Sequence, residues 1–249
     1  MKTLIKAINR VTPALPLVKA LNWFLRRVVY GSHAVQFALE WGGNNPEYFD
    51  HHIDQYYLWR KRANSFMWER GVFGSIAIAP GDRVLDLCCG DGFFTFHFYS
   101  TNAAEIIGID FDERAVRGAR RNFRRDNLSF AVADIRDSLP DGPFDVVVWD
   151  AAIEHFTESE IGEILRRIAV LLGDSGVLAG YTIVATDDGQ KHLDQHEYEF
   201  SSAAELDLLL RAFFRNVQVI KTSSAERDNL YFHASNGPLP LSEASLGGT

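Results

Sequence analysis

The sequence predicts a doubly wound α/β fold: a seven-stranded, mostly parallel sheet with an antiparallel last strand, preceded by an N-terminal helical cap. Three observations carry this. Val84-Leu85-Asp86-Leu87-Cys88 is a short apolar run that enters the turn Cys89-Gly90-Asp91-Gly92 and then a helical pattern from Phe93, and a strand buried on both faces of a sheet reads as such a run. A second run, Glu105-Ile106-Ile107-Gly108-Ile109-Asp110, ends on an acid, about 20 residues beyond the turn, a spacing that sets a carboxylate on a ribose hydroxyl pair. From there strand-like and helical stretches alternate, as crossover connections require.

The elements follow in order. In residues 1–30, Leu4, Ile5, Ile8, Leu17, Val18, Leu21, Phe24, Leu25 and Val28 recur at near-helical spacing, with Trp23 and cations between them. Such a stripe suits an interfacial helix in peripheral contact with a membrane surface. It equally suits a helix packed on its own domain or on a second subunit of a homodimer, and apolar stripes mostly mean core. Pro13, Pro16 and Lys19 interrupt the stretch, so neither a secretory leader nor a spanning helix is expected.

Residues 31–75 are rich in aromatics and histidine: His33, Trp41, Tyr48, Phe49, His51, His52, Tyr56, Tyr57, Trp59, Phe66 and Trp68. Helices there precede the first core strand, so they must pack across an edge or mouth of the sheet. The expected organisation is an N-terminal helical extension or lid over 1–75, an α/β domain over 76–235 and a frayed tail over 236–249.

Strands are predicted at 83–88, 105–110, 128–132, 144–149, 177–184, 217–222 and 229–234, the last two as a hairpin. After Asp110, Ala115, Val116, Ala119 and Phe123 mark the apolar face of a helix, and Arg114, Arg117, Arg120, Arg121, Arg124 and Arg125 read as its solvated face. Thr157 and Glu160 form a capping box, with Phe156 stapling to Ile161, before a helix that stops at Gly173. Ser202 and Glu205 repeat the device.

Composition narrows the function. A 249-residue chain with 47% hydrophobic residues builds one sizeable core. The net charge is −8, yet residues 1–30 hold Lys2, Lys6, Arg10, Lys19, Arg26 and Arg27 and no acid. The body is therefore more acidic than the total and repels a phosphate backbone, which argues against DNA or a general nucleic-acid substrate. The two cysteines, Cys88 and Cys89, are adjacent, so a disulfide between them is strained and a thiolate metal site lacks further ligands. A reducing, cytoplasmic setting is expected.

A dinucleotide fingerprint wants a third glycine after Gly-x-Gly. Here that position is Thr95, with Phe93 and Phe94 before it, which leaves less room for a pyrophosphate. Asp86, inside the strand end, is instead placed to meet a cationic ligand.

Residues 80–185 resemble the core of a class I S-adenosylmethionine-dependent methyltransferase. The first motif is similar to Val84 through Gly92, the second to Gly108-Ile109-Asp110-Phe111-Asp112, the third to Ala133-Asp134-Ile135, and the fourth to Phe144 through His155. The resemblance implies a Rossmann-like fold and S-adenosyl-L-methionine as cofactor. It implies that Asp110 grips the ribose hydroxyls, Asp134 the adenine amino group with Ile135 on the ring, and that Gly90 and Gly92 admit the methionyl part. Asp86, Cys88, Phe93, Phe111, Asp150, Ala151, His155 and Tyr57 complete the expected cofactor site. The chain departs from the family where Cys88 replaces its first glycine. N-terminal helices of such proteins commonly cover the cofactor, so Tyr56 or Tyr57, with Arg60 or Arg62, would meet the methionyl carboxylate or the substrate.

For catalysis, His155 is best placed, directly after the fourth strand, with Glu154 to orient it, and His192 and His196 are its rivals. Packing and positioning are the competing roles. Two metal readings, His192-x-x-x-His196 with Glu197 and Asp150 with Asp187 and Asp188, lack a convincing helix and a neighbouring Asn respectively, and no metal is assigned. The expected acceptor is a small or lipid-like molecule, because Asp150-Ala151-Ala152-Ile153 departs from the Asn-Pro-Pro-Tyr-like sequence suited to exocyclic base amines. A non-catalytic cofactor-binding protein and a nicotinamide-dependent oxidoreductase are the alternatives.

Overall fold

The structure is a computed structural model that describes residues 14–41, 66–186, 189–224 and 227–241. By its contacts the chain divides into two compact units, Met1–Ala63 and Asn64–Thr249.

In the first unit, α1 is a single helix of 28 residues, Ala14–Trp41. Pro16 lies in its first turn, where a backbone N–H has no intrahelical acceptor to lose, so the proline is accommodated inside the helix. The helix also runs past residue 30, joining two stretches that sequence composition separates. The membrane or subunit contact expected of residues 1–30 falls partly on residues 1–13, outside the described residues. Tyr56, Tyr57, Arg60 and Arg62 lie outside them as well. Among the described residues no helix is long and apolar enough to cross a membrane.

The second unit opens with α2 (Phe66–Ile76) and continues through β1 (Arg83–Leu87), α3 (Phe93–His97), β2 (Glu105–Asp110), α4 (Glu113–Asn122), β3 (Leu128–Val132), β4 (Val146–Asp150), α5 (Glu158–Leu172), β5 (Val177–Ile183), α6 (Ala203–Arg211), β6 (Asn216–Ser223) and β7 (Asp228–Ser235). These form one seven-stranded sheet in the order β3-β2-β1-β4-β5-β7-β6. The first five strands run parallel, and β7 is antiparallel to both β5 and β6. The predicted strands and the antiparallel last strand are all present. The insertion of β7 between β5 and β6 is a tertiary outcome that the hairpin alone does not dictate.

The core explains the sequence pattern. Every residue of β4 is buried, and Leu85, Leu87, Val147, Trp149 and Leu178 of the central strands meet Ile161, Ile164, Leu165 and Ile168 of α5. That helix starts where its box predicts: the Glu160 N–H donates to the Thr157 hydroxyl at 3.3 Å, and the Thr157 N–H donates to Glu160 Oε2 at 2.9 Å. Before α6 only half the device forms. Ser202 accepts from the Glu205 N–H at 3.2 Å, while the Glu205 carboxylate takes the N–H and hydroxyl of Ser201 and the Tyr198 hydroxyl.

On α4, Ala115, Val116 and Ala119 are buried and the arginines are exposed, as expected, and two of the arginines that follow Asp110 also make bonds from the surface. Arg120 donates to the Phe130 carbonyl at 2.7 Å and Arg125 to the Ser100 hydroxyl at 2.9 Å.

Helix α2, which composition groups with the N-terminal extension, is bound to the sheet. Glu69 accepts from the hydroxyls of Tyr231 and Thr222 at 2.8 and 3.0 Å, His233 Nε2 lies 2.9 Å from the Phe73 carbonyl, and Phe73 stacks on Tyr231. Strand order reverses between β1 and β4, and ligands of such sheets bind in the crevice beyond the carboxyl ends of strands at that reversal.

Candidate functional site

The turn after β1 is held in an unusual backbone state. Cys88, Gly90 and Gly92 all have positive φ, at 56°, 55° and 77°. The Cys89 N–H donates to the Ile109 carbonyl at 2.9 Å, and the Gly90 N–H to Asp110 Oδ2 at 2.9 Å. Asp110 Oδ1 accepts from the Asp112 N–H at 2.8 Å, so this one carboxylate ties the turn to the end of β2. Burial raises the Asp110 carboxyl above its ordinary value against the pull of these two donors.

Gly92 has a role beyond turn geometry. A Cβ there would lie 2.6 Å from the Phe130 ring and 2.9 Å from Ala119 Cβ, so the glycine lets α3 close on the neighbouring helix and strand.

Cys88 stands in the left-handed region where the resembled motif has glycine, and a side chain costs about 1–2 kcal/mol there. Cys88→Gly is therefore expected to gain roughly 0.5–1 kcal/mol after the added entropy of the unfolded glycine, while Cys88→Val loses more than that. Denaturant unfolding measures both, and a destabilised Gly variant contradicts the strain.

Three acids and one arginine lie under the crevice. Asp86 is buried and accepts the Thr95 hydroxyl at 2.6 Å. Burial, reinforced by Asp150 and Asp110 nearby, pushes its carboxyl up to about 8 against the Thr95 bond and Arg70. Asp150, at the end of β4, is taken up by Arg70 of α2: Nε donates to both oxygens at 3.1 Å and Nη2 to Oδ2 at 2.8 Å. The guanidinium also lies 4.5 Å over the Phe94 ring and 5.1 Å over Tyr181. Burial by itself lowers the Arg70 value, and the Asp150 charge and hydrogen bonds overcome it. Asp150 thus belongs to a buried ion pair. Nothing in the spacing of the sequence marks Arg70, because its partner is distant in the chain. Ala151 follows at φ 51°.

On the β2 and β3 side, Phe111 is 61% exposed beside the buried Asp110, an open apolar face next to the turn. Ile135 is buried in the main core cluster. Asp134 is held below its usual range first by the side-chain bond from Arg136, whose Nη2 is 2.6 Å away. Phe93 is packed into the aromatic face of α3, with its ring 5.3 Å from Phe94 and 4.5 Å from His97.

On the β4 and β5 side, a 3-10 turn, Ile153–His155, carries Glu154 and His155. Glu154 is buried, one carboxylate oxygen accepts the Thr182 hydroxyl at 3.1 Å, and its carbonyl receives the N–H groups of Glu197 and Tyr198 at 2.8 and 3.1 Å. Those two bonds draw the 192–199 segment over the turn. His155 Nδ1 lies 3.3 Å from the Gln195 carbonyl, and its ring is 4.9 Å from that of His196. Burial lowers the His155 imidazole, which keeps it neutral near physiological pH.

Two of the candidate histidines are joined by Glu199, which lies 3.0 Å from His192 Nδ1 and 2.5 Å from His196 Nδ1, and His155 meets them through the His196 ring. Burial works against its charge, but the His196 and His192 bonds hold the Glu199 carboxyl below its ordinary value. The pairing of His192 and His196 comes from this shared acid, since residues 189–200 form no helix. Of the other acidic set, Asp187 and Asp188 lie outside the described residues.

The donor set fits a cationic adenosine cofactor. Asp86 is a buried acid near the end of β1, Asp110 closes the glycine turn, and Phe111 offers an open apolar face. A mostly parallel sheet with acids at the ends of β1 and β2 beside its reversal point defines a Rossmann-like, adenosine-cofactor-binding domain.

The chain belongs to the methyltransferase domain family, whose model matches residues 78–228. These residues form an S-adenosylmethionine-dependent methyltransferase domain, which sets aside the nicotinamide reading. The chain is 44% identical over 68 residues to ribosomal protein L11 methyltransferase of Neisseria gonorrhoeae, covering 27% of this chain and 23% of that protein. It is 31% identical over 139 residues to the 23S rRNA (uracil(1939)-C(5))-methyltransferase RlmD of Alkalilimnicola ehrlichii, covering 53% and 31%. The chain thus spans less than a third of either relative. Its fold is that of the DhpI–S-adenosylhomocysteine complex, at a TM-score of 0.56 and 20% identity over 86% of this chain and 98% of that one.

These relatives correct one expectation. They are named for a ribosomal protein and an rRNA uracil as methyl acceptors, so the small-molecule acceptor drawn from the sequence is not upheld. The physical reason is that the motifs report only the cofactor cradle, and one cradle serves acceptors of any size.

Proposed function

We propose that this chain transfers a methyl group from S-adenosylmethionine to an acceptor atom carried on a macromolecule, by in-line displacement at the carboxyl edge of the sheet. The observation that carries the reading is convergence: the turn at 88–92, Asp110, Asp134-Ile135 and Glu154-His155 follow successive parallel strands at one reversal of the sheet. The macromolecular acceptor is supported by the names of the two relatives.

When bound, the cofactor supplies a methyl group already activated on a sulfonium. Asp110 would hold the ribose hydroxyls with the lone pairs its backbone donors leave. Asp86 would pair as the carboxylate with the methionyl ammonium, its proton passing to solvent, and Gly90 would admit that end of the molecule. Phe111 would pack on the adenine, with Asp134 toward its amino group, while Ile135, buried in the core, would support the site from beneath. Cys88, Phe93, Asp150 and Ala151 act at one remove, shaping the turn and the β4 end. Glu154, His155 and the 192–199 segment position the acceptor, and orientation of this kind is worth about 7–11 kcal/mol.

Calorimetric titration with S-adenosylhomocysteine tests the cradle. Asp110→Ala is expected to weaken binding at least tenfold by leaving the ribose hydroxyls without their acceptor. Equal affinity in parent and variant rejects the ribose assignment. Tritium from labelled cofactor should enter acid-precipitable protein or RNA of a ribosome-rich extract, and label confined to dialysable products rejects the macromolecular acceptor.

A further inference from the structure

Glu154, His155 and His196 each offer a ligand atom, all within 4.8 Å of one another, and the first and last are buried. The His196 Nδ1 is engaged by Glu199, which leaves Nε2 as its ligand atom. The His155 Nδ1 lies 3.3 Å from the Gln195 carbonyl. A carboxylate on the far nitrogen of a histidine is what orients a metal ligand and raises its basicity. Here Glu199 serves His196 in that way while also bonding His192, and Thr182 plays the same part for Glu154.

We propose that Glu154, His155 and His196 form a divalent transition-metal site that binds an oxygen of the acceptor. Two imidazoles and one carboxylate favour zinc, manganese, iron or cobalt over magnesium or calcium, which prefer all-oxygen sets. An ion about 2.1 Å from each ligand in tetrahedral geometry sets those atoms roughly 3.4 Å apart, so side-chain rotation closes the site. Three protein ligands leave positions open, as in catalytic rather than structural centres.

The consequence for chemistry rests on the methyl transfer proposed above and names its acceptor as a hydroxyl. Coordination lowers the hydroxyl's pKa, and its proton passes to water. The metal-held oxygen then forms the O–C bond as the C–S bond breaks, and the electron pair of that bond stays on sulfur, which leaves as a neutral thioether. Glu199 is a positioning residue for His196.

The test uses the untagged full chain, stripped with chelator and titrated with cobalt(II). One ion per chain with visible d–d absorption is expected. Glu154→Gln and His196→Gln should each weaken cobalt binding more than tenfold, and Glu199→Gln by about 10–100-fold. Acetohydroxamic acid, an oxygen-donor probe, should shift the absorption bands of the parent complex.

S-adenosylhomocysteine titration of the same samples certifies each fold and is read separately. If the parent binds it but takes up no stoichiometric cobalt, the metal site is overturned and the cradle stands. If the parent binds cobalt but not the nucleoside, the cofactor reading falls instead. Cobalt binding that survives both Glu154→Gln and His196→Gln overturns the ligand set. Should either variant fail to fold, the other and the parent stoichiometry decide. Bands indifferent to acetohydroxamic acid overturn the acceptor role.

Discussion

Arg70→Ala is expected to destabilise the sheet unit by about 3–5 kcal/mol, because it leaves a buried carboxylate without its partner. For a domain of this size that lowers Tm by roughly 6–20 °C. The guanidinium bonds both oxygens of Asp150 and lies between the rings of Phe94 and Tyr181, so its removal also exposes a cavity in α2 packing. Arg70→Lys should recover only part of the loss, since an ammonium cannot reproduce the two-point contact. The double change Arg70→Met with Asp150→Leu should recover most of it, because neither charge is then stranded. Thermal and urea melts measure all three, and an Arg70→Ala protein within about 1 kcal/mol of the parent contradicts a buried pair of this weight.

Asp86→Asn is expected to stabilise the ligand-free protein at pH 8 and to cripple cofactor binding. In the folded chain the Asp86 carboxyl is pushed up to about 8 from its ordinary value of 3.8. The folded state therefore keeps a proton that the unfolded chain releases. Below pH 4 both states are protonated and the group contributes nothing to the pH dependence. As pH rises from 4 to 8 the unfolded state binds fewer protons than the folded one, so stability falls, and above 8 the loss levels off. Each pH unit in that window is worth up to about 1.4 kcal/mol.

Asparagine cannot ionise, yet it still accepts the Thr95 hydroxyl, so the variant should outlast the parent at pH 8 and match it at pH 4. Binding has the opposite sign. A methionyl ammonium requires the ionised acid, so parent affinity for S-adenosylhomocysteine should rise by up to about tenfold per unit between pH 6 and 8. The asparagine variant should bind weakly and without that slope. Calorimetry in buffers of differing ionisation enthalpy counts the proton released, and no release contradicts this role for Asp86.

Much of the fold is legible because its signals are local. Buried parallel strands must be apolar runs, and those at 105–110 and 128–132 keep their predicted bounds. The capping box at Thr157 spans one helical turn and forms as read. The turn after β1 is legible for the same reason, since the glycines and Asp110 occur at strand ends with fixed spacing and the Gly90 N–H bonds Asp110 as that spacing allows. The Ser202 box forms by half because Tyr198 and Ser201 compete for Glu205, and that competition depends on where the preceding segment lies.

The sequence by itself determined the strand and helix succession, the antiparallel final strand and the glycine turn after β1. Each follows from periodicity and turn chemistry within a few residues. Tertiary structure alone decided that β7 enters between β5 and β6, that Asp150 is committed to Arg70, and that Glu199 gathers His192 and His196 beside Glu154 and His155. The Glu199 bonds are local, but the β7 insertion, the Arg70–Asp150 pair and the bonds from Glu197 and Tyr198 to the Glu154 carbonyl are pairings across long stretches of chain, fixed by which buried charges and edges must be satisfied once the sheet has closed.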